Sequence, residues 1–129
     1  MIKILVSGSY DYLHYGHLRL LKRARAMGDY LIVMLSTDQF NKEKGKTTHM
    51  TYEQRKQILE ELKCVDLVVP ETSHNHKKDV VLEHGISIYC VGDDWIGTCD
   101  WLKPYCKVVY LERTPDISST QIKKGIESE

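Results

Sequence analysis

The chain has 129 residues, enough for one domain over 1–129 with an ordinary core and too few for a second. Apolar residues make up 42%, and 18 Lys plus Arg balance 18 Asp plus Glu, so the formal net charge is zero. That balance argues against a general nucleic-acid or membrane-surface binder, which carries a basic excess; it leaves room for an enzyme with a local phosphate site, and it weakens the self-repulsion that opposes a homodimer.

Ile2 to Val6 is a compact β-branched run ending at Ser7-Gly8, read as a buried strand entered directly from Met1 with no leader expected. A loop over Ser9 to Tyr15 precedes a helix over Gly16 to Met27. Leu20, Leu21, Ala24 and Met27 share one face of that helix, and Gly28 is expected to end it as a C′ residue. Tyr30 to Leu35 is the second strand, followed by a long polar loop from Asp38 to Met50. Thr51 with Gln54 three residues on is a capping box opening a helix to about Lys63. Val65 to Val69 is the third strand, closed by Pro70. A helix is expected over Lys77 to Glu83, stopping at Gly85, with strands at Ile86–Val91 and Lys107–Leu111. Ser118 caps a short last helix.

No run approaches the roughly 18 apolar residues that a membrane span requires, so no membrane insertion is expected. Cys64, Cys90, Cys99 and Cys106 form no CxxC pair and read as reduced, mostly buried thiols of a cytoplasmic protein. Strands alternating with helices imply an α/β fold: a doubly wound, Rossmann-like, five-stranded parallel sheet with helices on both faces. In such sheets ligands sit beyond the carboxyl ends of the strands, and each unusual cluster in this chain follows a strand.

The first cluster runs Gly8-Ser9-Tyr10-Asp11-Tyr12-Leu13-His14-Tyr15-Gly16-His17. Gly8 is expected to let the backbone turn, and His14 and His17 share one side of a helix start. Gly16 leaves space for a phosphate to approach the helix amides. The pair also admits two plainer readings, a structural cap or half of a zinc site, the latter lacking a suitably spaced third ligand. The second cluster, Lys42-Glu43-Lys44-Gly45-Lys46, reads on its own as a solvated face. The third, Gly92-Asp93-Asp94-Trp95, offers a carboxylate to a ribose hydroxyl and an indole to pack on a ligand, or is a simple Asx turn. The fourth, Arg113-Thr114-Pro115-Asp116-Ile117-Ser118-Ser119-Thr120, has more hydroxyls than one cap needs and suits a polyphosphate, or is only a helix cap.

HxGH at 14–17 and R-T-x-x-I-S-S-T at 113–120 together resemble the signatures of the cytidylyltransferase family, within the HxGH nucleotidyltransferase superfamily. The resemblance spans nearly the whole chain, including 28–33, 35–38, Tyr-Glu-Gln-Arg-Lys at 52–56 and 92–95. It implies transfer of CMP from CTP to glycerol 3-phosphate, giving CDP-glycerol and pyrophosphate, by a homodimer using Mg²⁺ held mainly by the CTP phosphates. A role in supplying teichoic acid or a related surface polymer is implied as well. It assigns Gly8, Ser9, Tyr10, Asp11, His14, Gly16, His17, Lys46, Lys63 and Asp94 to CTP, together with Arg113, Thr114, Ile117, Ser118, Ser119 and Thr120. Lys44, Lys77, Asp11 and Trp95 go to the acceptor, and His14, His17, Lys44, Lys46 and Arg113 to catalysis. Ser9, Lys63, Asp116 and Ser119 depart from the family pattern; Lys63 keeps the charge of an arginine without its fork. The alternatives are another polyol phosphate, phosphoethanolamine or a sugar phosphate as acceptor, an ATP-using relative, a catalytically silent nucleotide sensor, or a Cys/His metal module.

Overall fold

The structure, a computed structural model, describes residues 1–112; the helix expected from Ser118 lies outside them. Its strands are β1 (Lys3–Gly8), β2 (Tyr30–Ser36), β3 (Leu67–Glu71), β4 (Ile88–Gly92) and β5 (Lys107–Leu111). Its helices are α1 (Tyr15–Arg25), α2 (Asp38–Glu43), α3 (Tyr52–Glu60) and α4 (His76–His84). The strands pair in parallel in the order β3-β2-β1-β4-β5. This is the doubly wound arrangement expected from the alternation of elements, and the chain reverses its direction of winding beside β1.

Alternation along the central strands builds two cores, because successive side chains point to opposite faces. Ile4, Val6, Leu31, Val33 and Leu35 pack on one face with Leu21 and Ala24 of α1 and Leu59 of α3. Leu5, Ile32 and Met34 pack on the other with Val80 and Val81 of α4 and with Leu102. Leu102 belongs to one of two short 3-10 turns, Asp93–Trp95 and Asp100–Leu102, within the stretch after β4. Tyr110 pins that stretch to β5: its hydroxyl accepts from the Cys99 amide at 3.0 Å and donates to Asp100 at 2.7 Å. All four cysteines are free thiols, Cys90 and Cys99 buried and the other two partly so.

Several local expectations change, among them β4, which starts at Ile88 and not at Ile86, and α1, which runs Tyr15–Arg25. The polar stretch after β2 contains α2, because Thr37 caps it (Phe40 N to Thr37 Oγ1, 3.1 Å) and Phe40 anchors it in the core. The helix from Thr51 has its capping box but ends at Glu60. β3 begins later and runs through Pro70, which pairs with Leu35. An edge strand tolerates a residue without an N–H. Gly28 is not a left-handed terminator, since α1 closes at Ala26 in right-handed geometry. The residue there must be small: a Cβ would stand 2.6 Å from the Ile2 carbonyl oxygen. Gly85, by contrast, is the left-handed cap its position suggested, with φ of 63°.

Candidate active site

The segment joining β1 to α1 leaves the carboxyl edge of the central strand, at the reversal of winding where such sheets open a crevice. Its backbone is strained: Tyr10 and Tyr12 hold left-handed φ values of 48° and 51°. For residues with a Cβ that region costs roughly 1–2 kcal/mol each. Gly8 does not take a left-handed turn; the Tyr10 ring folds back over it, 3.1 Å from where a Cβ would be. Ser9 is buried, donating to Asn41 Oδ1 at 3.2 Å and accepting from Ser36 at 3.0 Å.

His14 is the N-cap of α1, and the cap is made by imidazoles. His14 Nδ1 accepts from Gly16 N at 3.0 Å, and His17 Nδ1 accepts from His14 N at 3.2 Å. A ring nitrogen that accepts cannot carry the proton, so each neutral ring holds its hydrogen on Nε2. The rings stack at 3.9 Å, and the Tyr10 ring meets His17 edge-on at 5.4 Å. Burial lowers the pKa of both; His17 falls to about 4, with His14 and Lys46 adding to the effect of burial and Asp11 opposing it. At neutral pH the pair is two uncharged donors with fixed tautomers. Capping thus occupies Nδ1 of each ring and makes Nε2 the donating nitrogen of both.

Asp11 has a structural role within the protein. Its buried carboxylate accepts from His49 N at 2.9 Å and Met50 N at 3.1 Å, tying the segment after α2 to the first motif. Arg55, which the sequence reading did not single out, completes this frame. Its guanidinium is buried and donates to Met50 O (3.1 Å), Ser9 O (2.9 Å), Ser36 O (2.9 Å) and Asp38 Oδ1 (2.7 Å). One planar fork thus joins the loop after β1, the end of β2, the start of α2 and the entry to α3. Its spacing held the signal: Tyr52, Arg55 and Leu59 fall on one helical stripe, so Arg55 points inward with Leu59.

The lysine cluster is not only a solvated face. Lys46 influences His17, and Lys44 lies over the Phe40 ring at 4.2 Å with its pKa lowered by burial. Lys44 also feels Glu71 and Lys77. Lys77 is buried at the start of α4, and its ammonium donates to the equally buried Glu71 at the end of β3. Asp94 and Trp95 stand exposed in the turn following β4, on the same edge of the sheet. Lys63 is not brought there. It lies exposed between α3 and β3, near Asp66, which pairs with Leu31 at the start of β2 on the opposite edge. Arg113, Thr114, Ile117, Ser118, Ser119 and Thr120 lie outside the described residues.

A family model described as cytidylyltransferase-like matches residues 5–125. The chain belongs to the cytidylyltransferase-like family. It is 48% identical to the glycerol-3-phosphate cytidylyltransferase of Bacillus subtilis, over 98% of both chains. It is 51% identical to the Staphylococcus aureus protein of the same name, over 98% of this chain and 96% of that one. Among solved structures, the lipopolysaccharide core biosynthesis protein of Thermoplasma volcanium superposes with a TM-score of 0.74 at 25% identity, covering 88% of this chain and 98% of that one. The fold read from strand–helix alternation is therefore shared with this neighbour, and the family read from the two end motifs is the one the chain matches.

Proposed function

We propose that this chain transfers CMP from CTP to glycerol 3-phosphate, releasing CDP-glycerol and pyrophosphate. The observation that carries the reading is the imidazole pair: two neutral rings, held by the α1 cap through Nδ1 with their hydrogens on Nε2, at the crevice edge of the sheet. Among the described residues, His14 Nε2, Tyr10 Oη and Asn41 Nδ2 are buried polar atoms with no hydrogen-bond partner, and all three belong to or border the first motif. Unpaired buried polar groups are uncommon, and a polar ligand resolves them.

The reaction is an attack by an acceptor phosphate oxygen on the α-phosphorus of CTP, in line with the departing pyrophosphate. It needs no covalent enzyme intermediate, so the protein's contribution is orientation and charge stabilisation. His14 and His17 donate to oxygens around the α-phosphate, where charge grows in the transition state. Because they are neutral beforehand, they add donors without binding the ground state as strongly as cations would. Lys44, Lys46 and Lys77 lessen repulsion between two anionic reactants, and Arg113 with the 118–120 hydroxyls is assigned to the triphosphate on the resemblance alone. Asp11 and Glu71 are already engaged by amides and an ammonium. The donors at this edge suit a Mg²⁺ carried in by the nucleotide's own phosphates, where it would offset charge on the leaving pyrophosphate.

We further propose that the enzyme works as a cytoplasmic homodimer supplying a surface polymer pathway. Zero net charge and the absence, among the described residues, of any helix long and apolar enough to cross a membrane are compatible with this. Light scattering at micromolar concentration tests the dimer. Mass spectrometry of products from CTP, or ATP, with glycerol 3-phosphate, phosphoethanolamine and sugar phosphates tests the reaction. CDP-glycerol with matched pyrophosphate supports it; pyrophosphate only with another acceptor, or none at all, refutes it.

A further inference from the structure

Beside the buried Glu71–Lys77 pair, the imidazole of His74 stands between two groups that can only donate. The Trp101 indole Nε1 donates to His74 Nε2 at 3.0 Å, and Lys77 Nζ lies 3.3 Å from His74 Nδ1. Since Nε2 accepts, the neutral ring must carry its proton on Nδ1. Nδ1–H and an ammonium then face one another, and among the described residues no acceptor lies between them. Protonating the ring does not help, because Nε2–H would then oppose the indole. Burial, with the positive charges of Lys77 and Lys44 only partly offset by Glu71, also keeps the ring neutral. Trp101 packs against the ring with centroids 5.2 Å apart, which fixes its plane.

Resting on the assignment of Lys44 and Lys77 to the acceptor, we infer that His74 is a third binding residue for the acceptor's phosphate, its Nδ1–H completing a donor set with the two lysines. A phosphate monoester supplies what this arrangement lacks: oxygens that accept from Nδ1–H and from the ammonium together. Lys77 gives one of its three hydrogens to Glu71 and retains others. Counting Lys44 and Lys77 against Glu71, the cluster keeps one positive charge, so an anion is still attracted. Trp101 is a positioning residue, acting by fixing which nitrogen of His74 bears the proton.

The test compares His74→Phe, which keeps the ring against Trp101 and loses the donor, with His74→Asn, which returns an N–H near the Nδ1 position. Calorimetry with glycerol 3-phosphate should show about tenfold weaker binding for His74→Phe and less than about threefold for His74→Asn, the size of one charge-assisted hydrogen bond. In turnover the loss should fall on the acceptor KM, with the CTP KM unchanged. Equal acceptor affinity in wild type and His74→Phe, with normal wild-type turnover, overturns the inference and leaves the proposed reaction standing. Wild type that binds glycerol 3-phosphate in a His74-dependent way but makes no CDP-glycerol refutes the reaction and supports the subsite. Failure of wild type to bind the phosphate monoester overturns both.

Discussion

Replacing Arg55 with lysine should loosen the catalytic edge while keeping a positive charge at the same place. The guanidinium serves three backbone oxygens and one carboxylate at 2.7–3.1 Å, from four segments of chain. An ammonium has no fork and reaches about two of these acceptors, leaving roughly two carbonyls unpaired at about 1–2 kcal/mol each. Asp38 is 54% exposed, so its ion pair adds no more than about 1 kcal/mol. The total is about 3 kcal/mol, or about 10 °C in Tm for a domain of this size. Of the carbonyls that lose the fork, Ser9 O flanks the imidazole pair, and Met50 O, which keeps the Thr48 hydroxyl at 3.0 Å, belongs to the segment tied to Asp11, so kcat should fall as well. Thermal unfolding, with CDP-glycerol formation measured well below the variant's Tm, checks both. A Tm within about 2 °C of wild type, or unchanged kcat, would refute the idea that this fork holds the site together.

His17→Asn offers an amide oxygen close to where Nδ1 accepts from the cap amide; it should retain stability within about 1 kcal/mol yet lower kcat by roughly 10²–10³, measured by pyrophosphate release. Because folding depresses the His17 pKa to about 4, the unfolded chain takes up a proton below about pH 6.5 that the native chain refuses. Stability from this group is therefore complete above that value and declines as pH falls to about 4, by about 2 kcal/mol after allowing for partial exposure; urea midpoints across that range, compared with His17→Asn, measure it. Gly28→Ala should cost about 1–3 kcal/mol in urea unfolding, since its methyl group meets a backbone oxygen that cannot swing away. Lys77→Met strands the Glu71 carboxylate in the interior and should destabilise by about 3 kcal/mol, whatever it does to acceptor binding.

Legibility in the sequence followed the physics of each element. The parallel sheet was readable because β1 and β2 are buried on both faces, which writes an unbroken apolar run; β5, a half-buried edge strand, was bounded by its own apolar run, Val108 to Leu111. α2 was not, because a six-residue helix held by one cap and Phe40 shows no amphipathic period. The motif histidines were visible by spacing, but their tautomers depend on which backbone amides they cap, a matter of dihedral angles. Asp11 was assigned to the ligands by the resemblance alone; its structural partners at 49 and 50 are distant in sequence and carry no compositional mark. Arg55 was hidden for a related reason: a lone arginine on a helix reads as solvated unless its place on the Tyr52–Leu59 stripe is weighed above its charge. Lys63 stands at the position of a family arginine, yet the turn after α3 delivers it to the amino edge of the strands.

The protonation of the two motif imidazoles can be read directly by nitrogen NMR of histidine-labelled protein near neutral pH. Both His14 and His17 should be neutral, with hydrogen on Nε2 and an unprotonated, hydrogen-bonded Nδ1, and both Nε2–H signals should shift when CTP binds. An imidazolium at either position, a proton on Nδ1, or signals indifferent to CTP would contradict the account.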